Sequence, residues 1–214
     1  LQRQHQAPPV ELRRLLRAET RASEGGGKGW RGRRLALSST GPVFLTGFMA
    51  TGKSKIGRLL ASRMRRIFID TDQMIEARAG KAIAAIFADE GEESFRALER
   101  ECVVEAASRE AVIALGGGAI AQEENLKAIG DADGVLICLE ADVDTILERV
   151  SRRDTRPLLS GLSREEKREK ISSMLAERAP YYGRAHITVR STDDRRPDDT
   201  VSELMELMRR RAEC

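Results

Sequence analysis

Residues 43–54 read VFLTGFMATGKS, a β-rich apolar tetrapeptide running straight into a glycine loop that ends in Gly52-Lys53-Ser54. The spacing, Gly47, four residues, then Gly-Lys-Ser, is that of a phosphate cradle. Glycines let the backbone curl so that several N–H groups converge on phosphate oxygens, and the N-terminus of the following helix adds partial positive charge. In such a loop Lys53 reaches the β- and γ-phosphates and the Ser54 hydroxyl ligates Mg²⁺. A bare match to the spacing also arises by chance, so context decides. Here a strand precedes the loop, and Ile56, Leu59 and Leu60 give the segment after it an apolar helical face. The expected nucleotide-contacting residues are Ala50, Thr51, Gly52, Lys53, Ser54 and Lys55. Lys55 stands out, a second cation crowded against the first.

Outward from the loop, the pattern alternates strand and helix. A helix is expected over 53–63, a strand over 67–70, then helices over 72–79, 83–89 and 93–109. Strands over 112–115, 135–139 and 187–189 are separated by helices near 123–129, 142–149 and 164–178, and a last helix ends near Arg211. Five short strands joined through helices predict an α/β domain over 41–214, its parallel sheet covered on both faces. The stretch 151–163 is Arg-rich and poor in helix signals, with Pro157 in its middle, and is expected to form a lid. Residues 1–40 differ in composition. They hold nine Lys/Arg against three Asp/Glu, a net of +6, so the remainder carries −3 of the chain's total of +3. That segment is expected to be a basic, mostly disordered extension without catalytic parts.

The bulk composition narrows the function. With 4% aromatic residues and an acidic body, the chain is not expected to bind nucleic acid by stacking or by a basic surface. No apolar run approaches the roughly 20 residues needed to span a bilayer, so no membrane partner is expected. Cys102, Cys138 and Cys214 show no metal-ligand spacing and read as reduced thiols, which points to the cytoplasm.

Further candidates sit where open α/β sheets place ligands, beyond the carboxyl ends of strands. Asp70 and Asp72 follow the second strand. Either Asp72 simply caps the next helix, or one carboxylate serves a Mg²⁺ shell and the other orients a hydroxyl as base. Gly116-Gly117-Gly118 follows the third strand and is either a tight turn or a backbone contact to a ligand. Arg96, taken alone, reads as a solvated helical arginine. Arg152, Arg153 and Arg156 cluster in the expected lid, where a mobile guanidinium can follow charge on a transferring phosphoryl.

Taken together, these residues resemble the shikimate kinase family over Pro42 to Arg210. The resemblance is carried by GFMATGKS, FIDTDQMIE, IFADEGEESFRALE, GGGA, RDTRPLL and ERAPYYGRAHITV, in family order and spacing. It implies a three-layer α/β/α P-loop kinase fold with a five-stranded parallel sheet and a mobile lid. It also implies transfer of the γ-phosphoryl of ATP to the 3-hydroxyl of shikimate, with Mg²⁺ as cofactor, in a cytoplasmic monomer on the route to chorismate and the aromatic amino acids. By resemblance, Asp72 is base and acceptor ligand, Asp70 supports Mg²⁺ with Ser54, and Lys53 and Arg156 act in catalysis. Arg96 and Arg178 grip the shikimate carboxylate, Gly117 and Gly118 offer backbone contacts, and Arg149 packs on adenine. Two features depart from the family: Lys55 stands where Thr is common, and Met64–Arg66 lacks the glycine that often ends the first helix. The alternatives are another small-molecule P-loop kinase, acting on gluconate or nucleoside monophosphates, and a nucleotide-binding homologue without transfer activity.

Overall fold

The computed structural model describes residues 41–152, 159 and 161–213. The predicted extension (1–40), Cys214 and, within the predicted lid, residues 153–158 and 160 lie outside the described residues. At the centre is β1 (Val43–Thr46), all four residues buried, paired in parallel with β3 (Ala111–Ala114) on one side and β4 (Val135–Glu140) on the other. β2 (Ile67–Asp70) and β5 (Ile187–Arg190) complete a five-stranded parallel sheet of order β2-β3-β1-β4-β5. Burial from both faces accounts for the unbroken apolar reading of β1, β3 and β4, whereas the edge strand β5 alternates buried and exposed. From β1 the chain goes to β2 and β3 on one side, then crosses to the other for β4 and β5. The carboxyl end of β1 is therefore a topological switch point, where a ligand crevice is expected.

The helices are α1 (Lys53–Met64), α2 (Thr71–Ala79), α3 (Ile83–Ala107), α4 (Glu123–Asp131), α5 (Val143–Ser151), α6 (Arg164–Tyr182) and α7 (Pro197–Ala212). α1 buries Ile56, Leu60 and Ala61, and they share a core with Val201 and Leu204 of α7 and with Val43, Leu45 and Ile137 of the sheet. Complete burial of a side chain such as Leu60 contributes about 2–3 kcal/mol. A second cluster, Ile75 of α2 with Ile86, Phe95 and Cys102 of α3, clamps these two helices together. The buried Phe95 thereby fixes the rotation of α3 and so the direction of its neighbour Arg96.

The helices expected over 83–89 and 93–109 meet at a kink in α3 at Gly91, whose φ of 82° and ψ of 178° leave the helical region. α6 does not stop at Arg178 but continues through Pro180 to Tyr182. α1 ends without glycine because Arg65 itself adopts the left-handed conformation, φ 54°, at a cost of about 1 kcal/mol.

Candidate active site

The loop between β1 and α1 has the backbone of an anion cradle. Gly47 (φ 133°), Ala50 (φ 62°) and Gly52 (φ 97°) all take positive φ, which turns successive N–H groups toward one concavity. Gly47 is also required by packing, since a Cβ there would lie 2.3 Å from the Leu139 carbonyl oxygen at the end of β4. Thr51 is buried and its hydroxyl donates to the Phe48 carbonyl at 2.8 Å, tying the loop to itself. Lys53 donates to the carbonyls of Gly47 (2.8 Å) and Phe48 (3.0 Å), which holds its ammonium across the mouth of the cradle. Lys55 is exposed and lines the cleft.

Ser54 and Asp70 meet, the hydroxyl donating to Asp70 Oδ2 at 2.8 Å. Asp70 Oδ1 accepts from the Asp72 N–H at 3.2 Å, so the helix cap is Asp70 and not Asp72. Strand geometry ends at Asp70 and Asp72 lies in the first turn of α2, so the pair does not share a face by strand period. Both nevertheless line one cleft of about 620 Å³ with Lys53, Ser54 and Arg149. The bridge is Thr71: its hydroxyl donates to the Ala114 carbonyl at 3.3 Å and accepts from the Gly116 N–H at 3.1 Å. That side chain, unremarked in the sequence, pins the start of α2 to the end of β3.

The glycine run is where the remaining candidates converge. A Cβ on Gly116 would lie 2.8 Å from Asp72 Oδ1, one on Gly117 would lie 3.3 Å from Arg178 Nη1, and one on Gly118 would lie 3.4 Å from both Nη atoms of Arg96. The same position on Gly117 is 3.7 Å from the Gly47 carbonyl oxygen and 3.9 Å from the Met49 nitrogen. Three bare backbones thus let a carboxylate and two guanidiniums close in beside the cradle. Arg96 and Arg178 lie outside the lining of the 620 Å³ cleft.

Glu99, one turn after Arg96, escaped the sequence reading, although a carboxylate three residues beyond a helical arginine is a visible pairing signal. Its side chain is 1% exposed and accepts from Arg96 Nη1 at 2.7 Å. Burial pushes the Glu99 carboxyl up; Arg96 opposes the rise and Asp72 adds to it. For Arg96, burial is more than offset by Glu99 and the exposed Glu92, which keep the guanidinium charged. Arg178 sits over the Phe48 ring, 5.6 Å from its centroid, and donates to the Gly117 carbonyl at 3.3 Å. Arg149 is fixed by Asp193 (2.7 Å), the Ala50 carbonyl (3.0 Å) and Ser191 Oγ (3.0 Å). The predicted lid residues Arg153 and Arg156 lie outside the described residues. Among the described residues no three His, Cys, Asp or Glu side chains assemble as a metal cage.

A phosphate cradle at a parallel-sheet switch point, with a carboxylate and paired arginines beside it, defines a small P-loop phosphotransferase. The family model for shikimate kinase matches residues 49–209. A shikimate kinase of Salinibacter ruber is 44% identical over 178 residues, covering 80% of this chain and 86% of that protein. Among solved structures, shikimate kinase from Bacteroides thetaiotaomicron superposes with a TM-score of 0.75 at 32% identity, covering 78% of this chain and 98% of that one. Shikimate kinase from Acinetobacter baumannii, solved in complex with shikimate, gives 0.72 at 34% identity, over 82% of this chain and 97% of that one. The chain belongs to the shikimate kinase family, and is an ATP-dependent small-molecule kinase.

Proposed function

We propose that the chain transfers the γ-phosphoryl of ATP to the 3-hydroxyl of shikimate, giving shikimate 3-phosphate and ADP, and that the residues above divide this work. The observation that carries the reading is the convergence of Asp72, Arg96 and Arg178 on three successive glycines, beside Gly47 and Met49 of the cradle. Shikimate is a small polyol with one carboxylate, so it needs a cationic grip at one end and a base at the other. Arg96 and Arg178 supply the grip, assisted by the N–H groups of Gly117 and Gly118. Asp72 accepts the proton of the 3-hydroxyl as the new O–P bond forms and the bond to the β–γ bridging oxygen breaks.

On the nucleotide side, residues 50–55 wrap the triphosphate, and Lys53 exchanges its carbonyl partners for phosphate oxygens. A guanidinium bonded along its edges leaves its faces for stacking, which suits Arg149 to the adenine ring. The Ser54 hydroxyl and Asp70 carboxylate are hard oxygens 2.8 Å apart at a helix N-terminus, a donor pair that fits Mg²⁺. When bound, the ion held by Ser54 and Asp70 would neutralise charge that develops during transfer. Arg156, in a lid over 151–163, is proposed to close on the phosphates. No helix among the described residues is long and apolar enough to cross a membrane. By its family, we propose that the domain over 41–214 works in the cytoplasm as a monomer.

A coupled ADP-release assay with shikimate, gluconate and nucleoside monophosphates as separate acceptors tests the reading. It requires release that depends on shikimate. Release with gluconate alone would move the chain to another kinase class, and release with none would favour a non-catalytic role.

A further inference from the structure

Tyr182 closes the last turn of α6, four residues after Arg178 and therefore on the same helix face. It is buried, and its hydroxyl donates to the Gly117 carbonyl at 2.9 Å, the same oxygen that accepts from Arg178 Nη1 at 3.3 Å. Burial pushes the phenol up to about 12, against the pull of Arg178, so the oxygen keeps its proton to donate.

The Gly117–Gly118 peptide is trans, as are the others described. Because a trans peptide is planar, drawing its carbonyl toward α6 points the Gly118 N–H the opposite way. That N–H donates to no described group. Two glycines in succession cannot hold a peptide plane by their own conformational preferences, so the orientation must be imposed from outside. Among the described residues, Tyr182 and Arg178 are the two that donate to the Gly117 carbonyl, and Arg178 has its own task if it grips the acceptor.

We infer that Tyr182 is a positioning residue: by tethering the Gly117 carbonyl, it aims the Gly118 N–H at the carboxylate of the acceptor, beside the Arg96 guanidinium. The inference rests on the acceptor-site reading above. It makes α6 a two-part device, with Arg178 contributing charge and Tyr182 contributing geometry. The Pro180 that lies between them is accommodated within the helix, which is what brings Tyr182 back onto the Arg178 face.

The test is Tyr182→Phe in the full chain, which keeps the ring and removes only the donor. Shikimate KM should rise roughly 3- to 10-fold with ATP KM moving less than about twofold, the scale of one neutral hydrogen bond. A second readout uses protein labelled with carbonyl-¹³C and ¹⁵N glycine, in which a carbonyl-correlated amide spectrum shows only the four Gly–Gly peptides, 25–26, 26–27, 116–117 and 117–118. Saturating shikimate should shift the Gly118 amide in the wild type and shift it less in the variant. If wild type consumes shikimate but Tyr182→Phe matches it in shikimate KM and in the Gly118 shift, this inference alone is overturned. If wild-type ADP release ignores shikimate, the acceptor-site reading falls and this inference with it. Should the variant fail to fold, a wild-type Gly118 amide that shikimate leaves in place overturns the inference by itself.

Discussion

Replacing Glu99 by glutamine should leave the fold as stable as before, or more so, while weakening the hold on shikimate. The Glu99 carboxylate is 1% exposed and its partner Arg96 is 24% exposed, so the carboxylate bears most of the desolvation of the pair. Asp72 lies close as well: a Cβ on Gly116 would be 2.8 Å from Asp72 Oδ1 and 3.1 Å from Glu99 Oε1. The net effect is a Glu99 pKa raised above its ordinary value, burial being the largest cause. A carboxyl raised in this way binds more protons in the native state than in the unfolded chain, so wild-type stability falls as pH rises through the window above its unfolded value. Glutamine keeps the shape and an oxygen for Arg96, has no charge to desolvate, and carries an amide that can donate to Asp72. The gain should be up to about 1 kcal/mol, near 3 °C in Tm for a domain of this size, largest at neutral pH and smaller near pH 5. Function moves the other way. Arg96 then swings toward the exposed Glu92, and part of a charged hydrogen bond worth about 1.5–3 kcal/mol is lost, raising shikimate KM several-fold. Thermal melts at pH 5 and 7 beside steady-state kinetics read both signs. A variant that melts lower at pH 7 by several degrees would refute the reasoning, because it would make the pair a net stabiliser.

Three further outcomes are expected. Arg65→Gly should raise stability by about 1 kcal/mol in a denaturant titration, since an exposed left-handed helix end then loses its Cβ strain; a loss would show the arginine side chain matters more. The neutral His186 ring accepts from the Leu136 N–H at 2.9 Å, and burial, with Arg211 nearby, lowers its pKa to about 4. The unfolded chain therefore binds the extra proton between about pH 6.5 and 4, and stability falls by about 1–2 kcal/mol as pH drops through that window, after discount for solvent screening. Substituting His186→Gln should flatten that slope, and an unchanged slope would place the titration elsewhere. Lys55→Thr should change ATP KM by no more than about 3-fold, as befits an exposed charge beside phosphates, and a shift above about 10-fold would make the Lys55 side chain, and not only its backbone, part of the cradle.

The cradle and the five strands were legible because both rest on local rules, glycine spacing and apolar runs bounded by turns, whereas the order β2-β3-β1-β4-β5 was not. Asp70 and Asp72 were recognised as a pair, but Asp72 was the candidate cap of α2 and the cap is Asp70, because β2 ends there. Arg96 looked like any helical arginine because sequence cannot show that the buried Phe95 turns α3 so that Arg96 faces Gly118. The glycine run is a tight turn, closed by the Ala119 N–H donating to the Gly116 carbonyl at 3.1 Å, but a turn alone does not need three glycines. Its reason is long-range, the approach of Asp72, Arg178 and Arg96 to three successive backbones. Thr71 and Glu99 escaped notice, and Tyr182 counted only as part of a motif, for the same cause: each acts through hydrogen bonds across the sheet end or between neighbouring side chains. The helix expected over 164–178 runs on through Pro180 to Tyr182.

The most direct test of the account is turnover of Asp72→Asn with ATP and shikimate, measured beside ATP binding in the same preparation. Loss of the proton acceptor should lower kcat by about 10²- to 10⁴-fold while ATP affinity stays near wild type. A variant that phosphorylates shikimate at close to the wild-type rate would contradict the assignment of Asp72 as the base.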